Sequence, residues 1–161
     1  VSPKKSGEMA EENFKGGLYC CEALMKAVRD GFELDVPEEV IAMSSGMAVG
    51  VGRSGCLCGA LNGGVMALGM FFGRTEMDGP TNPKSQQVMR LTGELHSRFK
   101  EGTGKNSTCC RVLTREFDMG QGEHKAQCTR FTGMAAEQTA DIIVRELGLT
   151  NLDAVEETAE A

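Results

Sequence analysis

The sequence contains no tryptophan, one tyrosine and two histidines among its 161 residues. Its cysteines never fall as Cys-x-x-Cys, so zinc-ribbon and bacterial ferredoxin patterns are absent. Without Cys-x-x-Cys-His there is no site for ordinary covalent attachment of a c-type haem. No Gly-x-Ser-x-Gly elbow, phosphate loop ending in Gly-Lys-Ser/Thr or His-Glu-x-x-His occurs, which removes the commonest hydrolase and nucleotide-binding chemistries. Gly50-Val51-Gly52 lacks the third glycine and the preceding strand of a dinucleotide site. Basic residues are in the minority, 17 against 23 acidic, for a net charge of −6, and no basic stripe alternates with aromatics. Nucleic acid is therefore not an expected partner. The longest apolar run, Gly63 to Phe72, is too short to span a bilayer.

Against these absences stand seven cysteines. They read Cys20-Cys21, Cys56-Leu57-Cys58, Cys109-Cys110 and Cys128. A chain of 161 residues buries a core without covalent staples, and an odd count argues against a purely structural disulfide framework. Thiolates are soft ligands suited to iron–sulfur clusters, zinc and Cu(I), and four separate segments could point them at one centre. The clustering indicates redox or metal chemistry and leaves the choice between them open. Cys21 and Cys128 also lie on apolar stripes, where a lone cysteine is ordinary core material. His96 and His124 read as surface side chains. The ten methionines fall at helical spacing and read as plastic core packing rather than a copper site.

Helical periodicity dominates the chain. Phe14, Leu18, Cys21, Met25 and Val28 form one stripe, predicting a first helix over residues 8–30 that Gly16 and Gly17 weaken. Pro37-Glu38-Glu39 opens a second, with Val40, Ile41, Ser44 and Met47 inward. Between Gly46 and Gly73 there are nine glycines, readable as a closely packed helix pair or as a turn that aims backbone N–H groups at a bound centre. A loop over 74–83 precedes a helix over 84–101 that carries Val88, Leu91, Leu95 and Phe99. A short helix with Cys109, Cys110 and Leu113 follows. The last runs over 124–147, with Cys128, Phe131, Ala135, Ile142 and Leu147 inward, and stops at Gly148. The expectation is an all-α fold, a compact bundle of five to six helices with a glycine-rich central segment. It forms one domain over 1–161, whose ends, 1–7 and 150–161, are frayed.

At Cys58-Gly59-Ala60-Leu61-Asn62-Gly63 the chain resembles the motif of the C_GCAxxG_C_C family of proteins described as redox-active. Tyr19-Cys20-Cys21-Glu22-Ala23-Leu24 is similar to the family's early cysteine segment. Cys110-Arg111-Val112-Leu113 is similar to its Cys-Arg-x-Leu segment, and Cys128 with Ala135 and Ala136 fits its final helix. The resemblance spans residues 8–147 and maps the family cysteines onto Cys20, Cys58, Cys110 and Cys128. Cys21, Cys56 and Cys109 stand where the family pattern needs no sulfur, and could be additional ligands. A related domain in split-Soret cytochrome c accompanies a non-haem iron–sulfur centre, so the resemblance implies an iron–sulfur cluster.

The leading expectation is thus an iron–sulfur protein with Cys20, Cys58, Cys110 and Cys128 as ligands, serving electron transfer or redox sensing. The alternatives are a thiol–disulfide oxidoreductase built on a cysteine doublet and a zinc- or copper-binding module. Expected partners are a redox partner protein and a second copy forming a homodimer. Reduced thiols suit the cytoplasm; a leader cleaved before Val1 would place the protein in the periplasm.

Overall fold

A pair of glycines divides what the apolar spacing reads as one long first helix. In the computed structural model, which describes residues 1–161, α1 (Pro3–Lys15) stops at Gly16 and α2 (Cys20–Gly31) starts four residues later. Gly17 holds φ at 118°, a conformation that costs glycine little and other residues much. The chain turns there and α2 packs back on α1. Cys21, Met25 and Val28 are buried as their spacing predicts, whereas Phe14 and Leu18 fall on either side of the turn.

The remaining helices are α3 (Glu39–Ala42), α4 (Gly59–Phe72), α5 (Pro83–Thr103), α6 (Cys110–Leu113), α7 (Lys125–Leu147) and α8 (Leu152–Glu160). Two short 3-10 turns lie at Ser45–Met47 and Met119–Gln121, and there is no strand. The all-α expectation holds, but eight helices replace the expected five to six. One extra helix comes from the break at Gly16-Gly17. Another is α8, formed where a frayed tail is expected. The stripe predicted from Val40 to Met47 yields only the four-residue α3, because the chain turns at Ser44, whose hydroxyl donates to the Ile41 carbonyl (2.7 Å).

The two chain ends, expected to fray, are helical and hold each other. Ser2 donates its hydroxyl to Asp153, the Lys4 N–H donates to the Asp153 carboxylate at 2.9 Å, and the Leu152 N–H donates to the Val1 carbonyl at 3.1 Å. Lys4 and Glu157 pair at 2.8 Å. A carboxylate at the first turn of α1 satisfies a free N–H and complements the positive end of the helix dipole, so the acidic C-terminus orders here instead of dispersing in solvent. The long helices start and stop on local signals. Asn82 accepts from the N–H groups of Lys84 and Ser85 (2.8 and 3.3 Å) ahead of Pro83. Gly104 and Gly148 end α5 and α7 in left-handed conformation.

The core gathers around α7, which packs against α1, α2, α4 and α5. Leu24, Leu61, Leu68, Leu91, Leu95, Phe99, Phe131, Ile142 and Ile143 are fully buried, and Phe99 meets Phe131 edge-to-face at 5.9 Å. Leu147, expected inward, is exposed at the end of α7. No helix is long and apolar enough to cross a membrane. α2 and α4 approach each other backbone to backbone. A Cβ on Gly63 would lie 2.9 Å from the Cys21 carbonyl oxygen and 3.0 Å from its Cα.

Those neighbours are backbone atoms and cannot swing aside. Gly63→Ala is expected to destabilise the protein by about 1–3 kcal/mol as α2 and α4 are forced apart. Gly93→Ala, in α5, meets nothing within 4 Å and is expected to stabilise by up to about 1 kcal/mol through helix propensity. Denaturant unfolding of both variants beside the unaltered protein checks the opposed signs.

Candidate functional site

Four helices begin around one cavity. Cys20 is the first residue of α2, Cys58 caps the N-terminus of α4, Cys110 is the first residue of α6, and Cys128 lies in the first turn of α7. All four line a cavity of about 550 Å³ whose walls include Phe14, Leu18, Val49 and Phe131. The cysteines named from the family resemblance are therefore brought together. The other three are not among them. Cys21 is wholly buried in the helix packing, and Cys56 and Cys109 face solvent.

Local structure explains which sulfur of each cluster turns inward. Residues 56–58 lie antiparallel to residues 108–110. The Cys58 N–H donates to the Thr108 carbonyl (2.8 Å), and the Cys110 N–H donates to the Cys56 carbonyl (2.7 Å). This pairing joins segments some fifty residues apart in a single isolated bridge, too short to leave an alternating pattern in the sequence. Cys20 faces the cavity because of the glycine after Cys58: a Cβ on Gly59 would lie 2.5 Å from the Cys20 sulfur. Ahead of the bridge, residues 49–53 form a left-handed turn, with φ of 52°, 69°, 69°, 55° and 63°. Left-handed backbone costs about 1–2 kcal/mol for each residue with a side chain, here Val49, Val51 and Arg53. The turn is held by hydrogen bonds from Gly52 N–H to the Gly46 carbonyl (2.9 Å) and from Cys56 N–H to the Gly50 carbonyl (3.0 Å).

Burial sets the protonation of these thiols. It pushes Cys58 up to about 12, against the opposing pull of the Ala60 and Leu61 N–H groups at the start of α4. It likewise pushes Cys128 up to about 11, reinforced by the neighbouring Cys110 thiolate and opposed by Lys105. Cys110 is raised by burial and partly relieved by the Thr114 hydroxyl. Cys20 is raised by its hydrogen bond with Cys21, then by burial and by the charges of Cys58 and Cys128. The cavity thus holds its sulfurs as neutral thiols at pH 7.

The donor set is soft, gathered from four elements and enclosed by apolar walls, which fits a thiolate-bound metal centre. It does not fit a single small ion as it stands. Tetrahedral zinc needs sulfurs about 2.3 Å from the metal, and no three His, Cys, Asp or Glu side chains stand close enough to hold one metal ion.

The two histidines part company. His96 is exposed, as expected. His124, also expected at the surface, instead caps α7 and lines the cavity, with Nδ1 shut off from water and lacking a hydrogen-bond partner. Its polar neighbours in sequence disguise that position. The usable signal is its place four residues before Cys128, on the same face of the helix.

Helical layers around a cysteine-lined, apolar cavity define an all-α thiol protein. A family model described as "Putative redox-active protein (C_GCAxxG_C_C)" matches residues 18–142, and the chain belongs to that family. No curated protein and no solved structure matches the chain.

Two outcomes are expected of the metal-free protein. A short maleimide pulse at pH 7 labels Cys56 and Cys109 quickly and leaves Cys58 and Cys128 largely unmodified, and raising the pH to 9 speeds labelling of the latter two. Peptide mass spectrometry reads this, and Cys58 reacting as fast as Cys56 would contradict it. Stability also depends on pH. An unfolded chain ionises its thiols near 9, and the fold delays ionisation to about 11 at Cys128 and about 12 at Cys58. Their contribution is complete below pH 9 and is lost as pH rises through the folded values, because the unfolded state sheds its protons first. Urea midpoints measured from pH 7 to 11 are expected to fall.

Proposed function

We propose that this protein binds an iron–sulfur cluster through Cys20, Cys58, Cys110 and Cys128 and carries single electrons to and from a redox partner protein. One observation carries the reading: four cysteines from four separate helix starts line the same largely apolar cavity of about 550 Å³. Membership of a redox-active family agrees with it.

When bound, the cluster supplies a centre that takes up and releases one electron without breaking a bond. The chain's own residues prepare the place. The Ala60 and Leu61 N–H groups meet the Cys58 sulfur and favour its anionic form. Lys105 does the same for Cys128. Phe14, Leu18 and Phe131 exclude water, and Tyr19 and Met119, both exposed, stand where a partner could approach. Metal ligation deprotonates thiols outright, so high thiol pKa values delay loading at low pH without preventing it. Thiol–disulfide exchange fits the cavity less well. An attacking cysteine gains from a lowered pKa and from exposure, whereas Cys58, Cys110 and Cys128 are raised by burial, and Cys21, lowered by its hydrogen bond with Cys20, is wholly buried.

Anaerobic purification with a visible spectrum and iron, sulfide, zinc and copper analysis tests the reading. A brown protein with equivalent iron and sulfide is expected. Cys58→Ser loses most of the colour and iron, whereas Cys109→Ser keeps both. A colourless protein carrying zinc or nothing, or a Cys58→Ser variant with the full visible spectrum, overturns the ligand set.

A further inference from the structure

The opening of the cysteine cavity carries a charge opposite to that of the chain. A residue that both lines the cavity and is exposed stands at its rim, and Lys15, Gly17, Tyr19, Met119 and Lys125 do so. No aspartate or glutamate lines the cavity, in a protein with 23 of them against 17 lysines and arginines. Two further cations extend the rim. The Arg53 guanidinium donates to the Tyr19 hydroxyl at 3.4 Å, and Arg111, next to Cys110, donates to the Ser54 carbonyl at 2.8 Å. None of the protein's ion pairs involves Lys15, Arg53, Arg111 or Lys125, and Glu12, a turn before Lys15, is not paired with it. Three other carboxylates nearby in sequence are engaged with the chain. Glu22 accepts from the Tyr19 N–H (2.8 Å) and the Ser45 hydroxyl (2.6 Å), Asp118 from the Gly120 N–H (3.0 Å), and Glu123 from the Asp118 N–H (2.6 Å). A separate polar groove is of the opposite kind, walled by Glu137, Asp141, Asp153 and Glu157 around Lys4 and Arg98.

We infer that the cavity mouth is the docking surface for a redox protein that presents a patch of carboxylates around its own electron-transfer site. The inference rests on the iron–sulfur reading and names the chemistry of the partner which that reading requires. Charge complementarity selects an acidic protein, because unpaired cations speed encounter with a negative patch and oppose a positive one. Tyr19 and Met119, 43% and 37% exposed, supply apolar contact area of the residue types that interfaces favour. Tyr19 immediately precedes Cys20, so a partner seated here lies against the segment that holds a proposed ligand. The chain as a whole carries a net charge of −6, so the same partner is repelled by the remaining surface and confined to this mouth.

The test uses the full chain, purified anaerobically, with an acidic flavodoxin as the probe. Its association, followed by fluorescence anisotropy of the labelled flavodoxin, is expected to slow as ionic strength rises. Lys15→Glu with Lys125→Glu is expected to slow it by about tenfold or more at low salt. Lys5→Glu with Lys100→Glu changes the net charge equally at lysines that do not line the cavity, and is expected to slow it by less than about threefold. Lys15→Gln with Lys125→Gln gives an intermediate rate, and circular dichroism checks that each variant is folded. Absence of salt-dependent binding, or equal slowing in the two Glu variants, overturns the docking surface. A dimer of this chain that dissociates in the Lys15→Glu, Lys125→Glu variant overturns it as well, since a second copy then occupies the mouth. Iron and sulfide analysis of the same sample separates the two readings. Rim-dependent association without iron and sulfide overturns the cluster and upholds the surface, whereas iron and sulfide without rim dependence overturns the surface alone.

Discussion

The backbone of α4 touches the backbone of α2 at Gly63, and one turn earlier the Cys20 sulfur rests against Gly59. These two close approaches depend on the absence of a Cβ, and the cavity follows from them. They bring the starts of two helices together, so that a sulfur at the first position of α2 and one at the cap of α4 open on the same space. α7 then packs against both helices and brings Cys128 to the third side. Closing helices this tightly sacrifices side-chain burial at the glycines. The surrounding leucines and phenylalanines of α4, α5 and α7 supply the apolar area that offsets it.

Two electrostatic effects compete inside the cavity. Helix starts present free N–H groups, which favour an anion, and Cys58 feels this directly through Ala60 and Leu61. Burial among apolar side chains disfavours the same anion, and for Cys58 and Cys128 it is the stronger effect. The result is a set of thiols that stay protonated at neutral pH, and a protonated thiol resists adventitious oxidation. Cys56 and Cys109, two residues and one residue from the cavity cysteines on the paired segments, are exposed and lack that protection.

The strained part of the chain lies beside this site. Residues 49–53 hold a left-handed turn that includes two valines, β-branched residues for which such backbone is unfavourable. Val49 is part of the cavity wall, and the hydrogen bond from Cys56 to Gly50 ties the turn to the segment that carries Cys58. Strain of this kind persists only where the surrounding structure over-determines it, and it often accompanies a functional site. Here it directs the chain out of the Ser45–Met47 turn and into the bridge with residues 108–110.

Much of this was legible residue by residue. Leu91, Leu95 and Phe99 announced the buried face of α5 and Gly148 the end of α7, because caps and apolar spacing act over a few residues. The family motif selected Cys20, Cys58, Cys110 and Cys128 from seven sulfurs by order along the chain, without saying where they point. The docking of α8 on α1 and the bridge between residues 57 and 109 depended on partners far away in sequence. So did the position of His124, whose neighbours in sequence are polar yet which reaches the cavity wall. The sequence by itself determined that the chain is helical and rich in clustered thiols, since helix periodicity and composition are local properties. Only the tertiary structure decided which sulfurs share a cavity, since a side chain's burial is set by the helices that close around it.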